Sequence, residues 1–224
     1  MEKEKILAAP SVRRLPSYLD IIRNYQEERG TEYISGTRIA RELNLESIQV
    51  RKDLAITGII GKPKKGYPVA ALVNAIERFL NWDTLQDAAL VGMGNLGSAL
   101  LGHREFYLHG LNIAAAFDIN SRKIGSMIHG IQIMNAANMD IQIRNFGIKI
   151  AILTLPPEHA QETADILVDA GIEGIWNFTT KKLAVPGTVA VQNEDLSSGF
   201  AMLCVRMHTK KNCKEPRRAC SKFL

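Results

Sequence analysis

Three glycines spaced G-x-G-x-x-G, namely Gly92, Gly94 and Gly97, follow the apolar run Ala89-Leu90-Val91 and open a helical segment that begins Asn95-Leu96. In that setting each glycine has a mechanical reason. The first lets the strand turn tightly, the second lets the backbone approach a pyrophosphate, and the third lets the helix pack closely on the strand. The free N–H groups of the helix N-terminus then face the phosphates. A second apolar strand ends Ala116-Phe117-Asp118. An acid at that place can accept the ribose hydroxyls of NAD(H) and repel a 2′-phosphate. The chemistry is dinucleotide binding.

The elements that must hold this motif read as α/β. After Asp118, residues 131–133 form a short strand and 148–155 a buried parallel strand closed by Pro156-Pro157. Residues 158–170 are an amphipathic helix, and 174–178 and 189–192 are two more strands. Thr154, Pro156, Asn177 and Phe178 stand at the C-terminal ends of strands, where α/β sheets take their ligands. The stretch 196–207 is apolar and helical, with no domain after it to cover it, so it is expected to bury itself against a second copy of the chain.

About 80 residues precede the motif, and they read differently. Residues 10–29 carry Leu15, Tyr18, Leu19, Ile22 and Tyr25 on one helical face, and Gly30 ends the helix. Residues 37–43 form a short helix capped by Ser35 or Thr37, and Asn44 breaks it. Residues 46–56 form a third helix that buries Ile48 or Val50 together with Leu54 and leaves Gln49, Arg51 and Lys52 outward. Lys62-Pro63-Lys64-Lys65-Gly66-Tyr67-Pro68 makes a basic turn between two short apolar stretches, and 69–82 is a linking helix. Three helices and a basic hairpin are the order of a winged helix-turn-helix. Arg51 and Lys52 would then contact bases or phosphates. Lys62, Lys64 and Lys65 suit phosphate, because flexible ammonium groups neutralise without specifying. Arg13 and Arg14 either contact phosphate or pair with Glu residues, and they are taken, with Gln49, as candidate DNA contacts.

Charge follows the same division. Residues 1–82 hold 14 Lys and Arg against 10 Asp and Glu, 83–208 hold 8 against 12, and 209–224 hold 6 against 1. A basic head on an acidic middle fits a DNA-binding domain fused to a small-molecule domain. The expected domains are 1–83, winged helix; 84–195, Rossmann-type parallel sheet; 196–208, a dimerisation helix exchanged between copies; and 209–224, a basic, disordered tail. No apolar run is long enough to span a membrane, and the start Met-Glu-Lys-Glu-Lys is not a signal peptide. Three cysteines, Cys204, Cys213 and Cys220, lack metal-ligand spacing, so no metal and a reducing cytoplasm are expected.

Both halves, in this order, resemble the Rex family of redox-sensing transcriptional repressors. The resemblance rests on Arg13-Arg14-Leu15-Pro16 with Tyr18-Leu19, on Gln49-Val50-Arg51-Lys52-Asp53-Leu54 and on Gly61-Lys62 with Gly66-Tyr67. It continues through the run from Val91 to Leu100, Ala116-Phe117-Asp118, Leu153-Thr154-Leu155-Pro156 and Trp176-Asn177-Phe178. It implies a homodimer joined through the C-terminal helices, bound to double-stranded operator DNA. It also implies that NADH releases the DNA while NAD⁺ permits binding. No residue is assigned a catalytic role.

Three positions depart from the family pattern. Tyr18-Leu19-Asp20 stands where the family usually has Tyr-Leu-Arg, His103 where it commonly has Tyr, and Asp195-Leu196 where it has Asp-Phe. The family's Arg and Asp are thought to couple the two domains, and Asp20 with Asp195 cannot form that pair. His103 could bridge them when protonated, or Arg23, one turn from Asp20, could supply the charge. Two alternatives stand beside the redox-gated repressor: a DNA-binding paralogue with weak or lost redox response, and a small NAD-linked oxidoreductase with an accessory N-terminal domain. Turnover of NADH with hydroxy or keto acids distinguishes the last.

Overall fold

The computed structural model describes residues 9–30 and 32–212. The chain divides into two compact units, residues 1–85 with 107–110, and residues 86–106 with 111–224. The unit change thus falls two residues after the expected boundary, and a short return segment joins the first unit.

In the first unit, α1 (Ala9–Arg29) buries Leu15, Tyr18, Leu19 and Ile22, as their three- and four-residue spacing requires. Next come β1 (Tyr33–Ile34) and α2 (Gly36–Glu42), whose N-cap is Ser35; its hydroxyl accepts from the Arg38 N–H at 3.1 Å. Asn44 takes the left-handed conformation, φ 53°, and turns the chain into α3 (Ser47–Ala55). There Val50 and Leu54 are buried while Ile48 is 60 % exposed, which decides between the two candidate core positions. The basic turn is tighter than the expected hairpin. Lys62 and Gly66 form an isolated antiparallel bridge, and β2 (Tyr67–Pro68) pairs with β1. Strand β1 was not foreseen, because two residues are too few to carry a period. Gly66 is required here: at φ 93°, a Cβ would sit 2.3 Å from the Ile34 carbonyl oxygen. Helix α4 (Val69–Leu80) closes the unit, with Asn81 as a left-handed C-cap.

The second unit is a seven-stranded sheet ordered β5-β6-β4-β3-β7-β8-β9. Its strands are β3 (Gln86–Val91), β4 (Leu111–Asp118), β5 (Met127–Ile128), β6 (Ile131–Asn135), β7 (Ile150–Leu153), β8 (Gly174–Asn177) and β9 (Ala190–Asn193). Only β5 is antiparallel to its neighbour. The helices are α5 (Asn95–Leu101), α6 (Glu105–Leu108), α7 (Met139–Phe146), α8 (Pro157–Asp169) and α9 (Leu196–Asn212). Strand β3 is buried on both faces, Ala89 and Val91 in one apolar layer and Ala88 and Leu90 in the other. The register slips opposite Ala88/Ala89, which leaves Ala114 as the extra residue of β4 and lets Ile113 share a face with Ala116. The chain leaves β3 to one side for β4 and β6 and returns to the other for β7. The crevice at this reversal opens at the C-terminal strand ends. Strand β5 and helix α7 were not read from the sequence. Helix α9 continues to Asn212, so residues 209–212, expected in the tail, are helical; Cys213 and Cys220 lie outside the described residues.

Candidate functional site

The glycine turn joins β3 to α5. Gly92 has φ 100°, and a Cβ on it would meet the Thr154 carbonyl at 2.8 Å. Gly97 is packed harder, with its missing Cβ 2.0 Å from the Gly92 carbonyl oxygen. Gly94, the N-cap of α5, is different: nothing lies within 4 Å of the place a Cβ would take. Gly97 therefore lets helix and turn touch, Gly92 lets the turn lie against Thr154, and Gly94 leaves bare backbone facing open space. Thr154 locks the turn from the neighbouring strand, its Oγ1 donating to the Gly92 carbonyl at 2.7 Å.

Over this turn lies a cavity of about 660 Å³ lined by Gly92, Gly94, Asp118, Lys123, Thr154 and Pro156, among others. That volume is within the range of small-molecule sites, about 300–1,000 Å³. Asn95 and Leu96 form the first turn of α5, where backbone N–H groups have no carbonyl four residues before them. Bare backbone at Gly94 and a helix start supply the donors a pyrophosphate requires, and the acid at the next strand end supplies the acceptor for a ribose hydroxyl.

Asp118 is more occupied than its position in the sequence suggests. Its Oδ2 accepts from the Met93 N–H at 2.8 Å and its Oδ1 from the Asn120 N–H at 2.7 Å. Lys123 Nζ reaches Oδ2 at 3.3 Å. Burial opposes the charge, but the N–H groups of Asn120 and Met93 and the nearby ammonium hold the carboxyl below its ordinary range. Lys123 was missed because a lysine five residues past a strand resembles any solvated loop residue.

Asn177 and Phe178 are not brought to this cavity. Asn177 is fully buried at the end of β8, one strand beyond β7. Its Nδ2 donates to the Lys181 carbonyl and to Asn193 Oδ1, and its Oδ1 accepts from the N–H and hydroxyl of Thr179. With its hydrogen-bonding capacity filled inside the protein, it is a loop anchor. Phe178 packs on Trp176 at 4.9 Å, and Trp176 on Phe106 at 5.5 Å.

In the first unit, α3 presents Arg51 and Lys52 to solvent. Arg51 Nη2 rests on Ser47 Oγ at 3.3 Å, a weak contact easily exchanged. Gln49 and Arg14, both candidate DNA contacts, are instead turned inward, and Arg14 takes its other course, an ion pair, with Asp53 where a glutamate was expected. Arg14 donates from Nε and Nη2 to the Asp53 carboxylate at 2.6 and 2.8 Å, Tyr18 Oη donates at 2.6 Å, and Gln49 Nε2 at 2.8 Å. Asp53 is fully buried. Burial opposes its charge, yet the hydrogen bonds from Arg14 and Tyr18 outweigh it and hold the carboxyl far below its usual range. Burial, with the bond to Asp53, pushes the Tyr18 hydroxyl well up. The physical reason is plain: a buried carboxylate takes every donor within reach. Arg13 stays exposed.

On the wing, Lys62, Lys64 and Lys65 are exposed. Tyr33 gathers two of them: Lys62 Nζ donates to its hydroxyl at 3.0 Å, and Lys62 and Lys65 lie over its ring at 5.4 and 5.5 Å. Lys64 takes the left-handed conformation, φ 63°. Tyr33 was not foreseen, since it lies about thirty residues before the lysines it orders.

Of the candidate switch residues, His103 and Asp195 have local partners, as does Arg23. Arg23 is paired with Glu77 at 2.6 Å, so it is not the free charge beside Asp20 that the sequence allowed. Asp20 is exposed. His103 Nε2 is 3.5 Å from Glu105 and its ring meets Phe106 edge-on at 4.6 Å. Asp195 caps α9, its Oδ1 accepting from the Ser197 N–H at 2.9 Å and from the Ser197 hydroxyl. Those two bonds hold the exposed carboxyl below its ordinary range. Among the described residues, no group of three or more His, Cys, Asp or Glu side chains is placed to hold a metal ion, and no helix is long and apolar enough to cross a membrane.

A winged-helix unit and a Rossmann-type unit with an open glycine cradle, carried on one chain, define a two-domain regulator class. Residues 7–55 match the family described as "Putative DNA-binding protein N-terminus", and 83–181 match "CoA binding domain". The redox-sensing transcriptional repressor Rex of Treponema denticola is 55 % identical over 94 % of this chain and all of its own. The Rex-family repressor RSP, solved with β-NAD⁺ and operator DNA, is 32 % identical with a TM-score of 0.84, covering 95 % of this chain and 97 % of its own. The same repressor solved with β-NADH is 31 % identical with a TM-score of 0.84, over 95 % and 99 %. The chain belongs to the Rex family of redox-sensing transcriptional repressors.

Proposed function

We propose that this chain is a repressor that binds double-stranded operator DNA through α3 and its wing, and that the NADH/NAD⁺ ratio sets that binding, NADH favouring release. One observation carries the reading: a single chain holds an exposed Arg51-Lys52 helix face in its first unit and, in its second, a bare-backbone cradle at Gly94 under a cavity of dinucleotide size. The likeness to a repressor solved with NAD⁺ and operator, and again with NADH, supports it. When bound, the dinucleotide supplies two redox states that differ in charge and shape. The protein's residues bind and orient: Gly94 admits the pyrophosphate, Asp118 takes a ribose hydroxyl, and Thr154 keeps the turn fixed. The first unit serves as the DNA-binding domain and the second as the dinucleotide-binding domain, with α9 pairing two copies. The chain works in the cytoplasm as a regulator and does not turn over its dinucleotide.

Fluorescence anisotropy on a duplex selected from a random-sequence library tests the DNA half, and calorimetry with NADH tests the other. Loss of operator affinity on adding NADH is expected. Steady NADH oxidation with keto acids would instead support the oxidoreductase alternative.

A second reading keeps DNA binding but weakens the redox response. It is favoured by Asp20 standing where the resemblance implies arginine, with Arg23 held by Glu77 and Asp195 capping α9. On the first reading the domains communicate through other contacts, and Asp20→Arg leaves NADH-driven release unchanged. On the second, the substitution sharpens it.

A further inference from the structure

Lys123 lies in the wall of the cavity and completes a ring of contacts around the glycine turn. Its Nζ donates to the Met93 carbonyl at 2.6 Å and reaches Asp118 Oδ2 at 3.3 Å, while that same Oδ2 accepts from the Met93 N–H at 2.8 Å. The peptide groups on both sides of Met93, the residue between Gly92 and Gly94, are thus held by one ion pair. With the Asn120 N–H on Oδ1, three donors engage a carboxylate that has about four acceptor sites, leaving roughly one for a ribose hydroxyl. Any group that approaches Asp118 from the cavity therefore meets a carboxylate already paired with an ammonium. A 2′-phosphate in that place would feel the attraction of Lys123 as well as the repulsion of Asp118.

We propose that Lys123 is a specificity-determining residue that tempers the choice between NAD(H) and NADP(H), making the cavity more tolerant of a 2′-phosphate than Asp118 alone would allow. This rests on the reading of the cavity as a dinucleotide site. Two features place Lys123 where it can act. It belongs to the same cavity wall as Asp118 and Gly94, and its side chain is only about a third exposed, so solvent screens it incompletely. A purely structural lysine, bracing the turn through Met93, would affect both dinucleotides alike, because both place their pyrophosphate on that turn. A lysine acting through charge affects the phosphorylated one more.

The test is calorimetric titration of the full chain with NADH and with NADPH, in the native protein, in Lys123→Met and in Lys123→Arg. Removing one charge next to a bound phosphate is expected to raise the NADH-over-NADPH preference about tenfold in Lys123→Met. Lys123→Arg should keep the native ratio. An equal loss for both dinucleotides in Lys123→Met would make the lysine a brace only and overturn the proposal, and so would a fall in the preference. If Lys123→Met does not melt cooperatively, Lys123→Gln, which retains an N–H donor and drops the charge, carries the same expectation. A native protein that binds neither dinucleotide overturns the cavity reading itself. One that binds NADH, with a ratio that Lys123→Met does not move, overturns only the role of the lysine.

Discussion

Arg14 grips Asp53 with two nitrogens, Nε 2.6 Å from Oδ2 and Nη2 2.8 Å from Oδ1, and so fastens α1 to the helix that presents Arg51 and Lys52. The pair is partly open at Arg14, 29 % exposed, and closed at Asp53. Asp53→Asn is expected to cost roughly 2–3 kcal/mol, less than a fully enclosed pair because water reaches the guanidinium. The sign with pH follows from the depressed carboxyl. Asp53 contributes its stability above the unfolded value of about 3.9 and loses it as pH falls below that. Urea midpoints at neutral pH and near pH 3 check both parts: native and variant should differ most at neutral pH, and the difference should narrow near pH 3 without closing, because the folded carboxyl stays ionised until pH falls through its depressed value. A constant difference would show that the carboxylate's charge is not what holds the helices.

Arg51→Ala or Lys52→Ala should each weaken operator binding by about 1–3 kcal/mol if the side chain reads a base edge. Changing Lys62, Lys64 or Lys65 to alanine should instead weaken every duplex alike and lower the slope of affinity against salt by about 1 per lysine. Tyr33→Ala, by releasing Lys62 and Lys65, should weaken duplex binding in the same sequence-blind way. Anisotropy titrations at several salt concentrations separate the two groups.

Gly94→Ala and Gly97→Ala should part company. The first adds a methyl group to open space at ordinary φ, so the thermal midpoint should hold while NADH binding is lost. The second drives a Cβ to within 2.0 Å of a backbone carbonyl, so stability and binding should fall together. Melting curves with and without NADH check this, and intact NADH binding in Gly94→Ala would remove the glycine from its assigned place.

Helix α9 leaves Phe200, Met202, Leu203, Val205 and Met207 exposed, more apolar surface than a monomer ordinarily tolerates. Removing 196–224 should give monomers or aggregates, and removing 213–224 should leave a dimer. Light scattering after size exclusion reads the outcome; a monodisperse dimer from the longer deletion would place the interface elsewhere.

What was legible in the sequence was local. The glycines, Asp118 and the buried stripe of α1 declare themselves by spacing, since turn geometry and helical period act over a few residues. Asp53 does not: an acid between Lys52 and Leu54 looks solvated until Arg14, 39 residues away, is folded onto it. Gln49 and Arg14 were read as DNA contacts for the same reason, since outward-facing polar positions become inward ones when a buried charge needs donors. Asn177 and Phe178 lie at a strand end as expected, but one strand too far from the crevice, and only the sheet order decides that. Helix α7 escaped notice because only Met139 and Ile143 of its residues are buried.

The proposed function joins dinucleotide redox state to DNA within one chain. The measurement that bears on it most directly is displacement of the selected operator duplex from the full-length protein by NADH, with NAD⁺ titrated in parallel. NADH should release the duplex at concentrations at which NAD⁺ leaves it bound. Equal release by both, or by neither while calorimetry records NADH binding, would show that redox state does not set DNA binding in this protein.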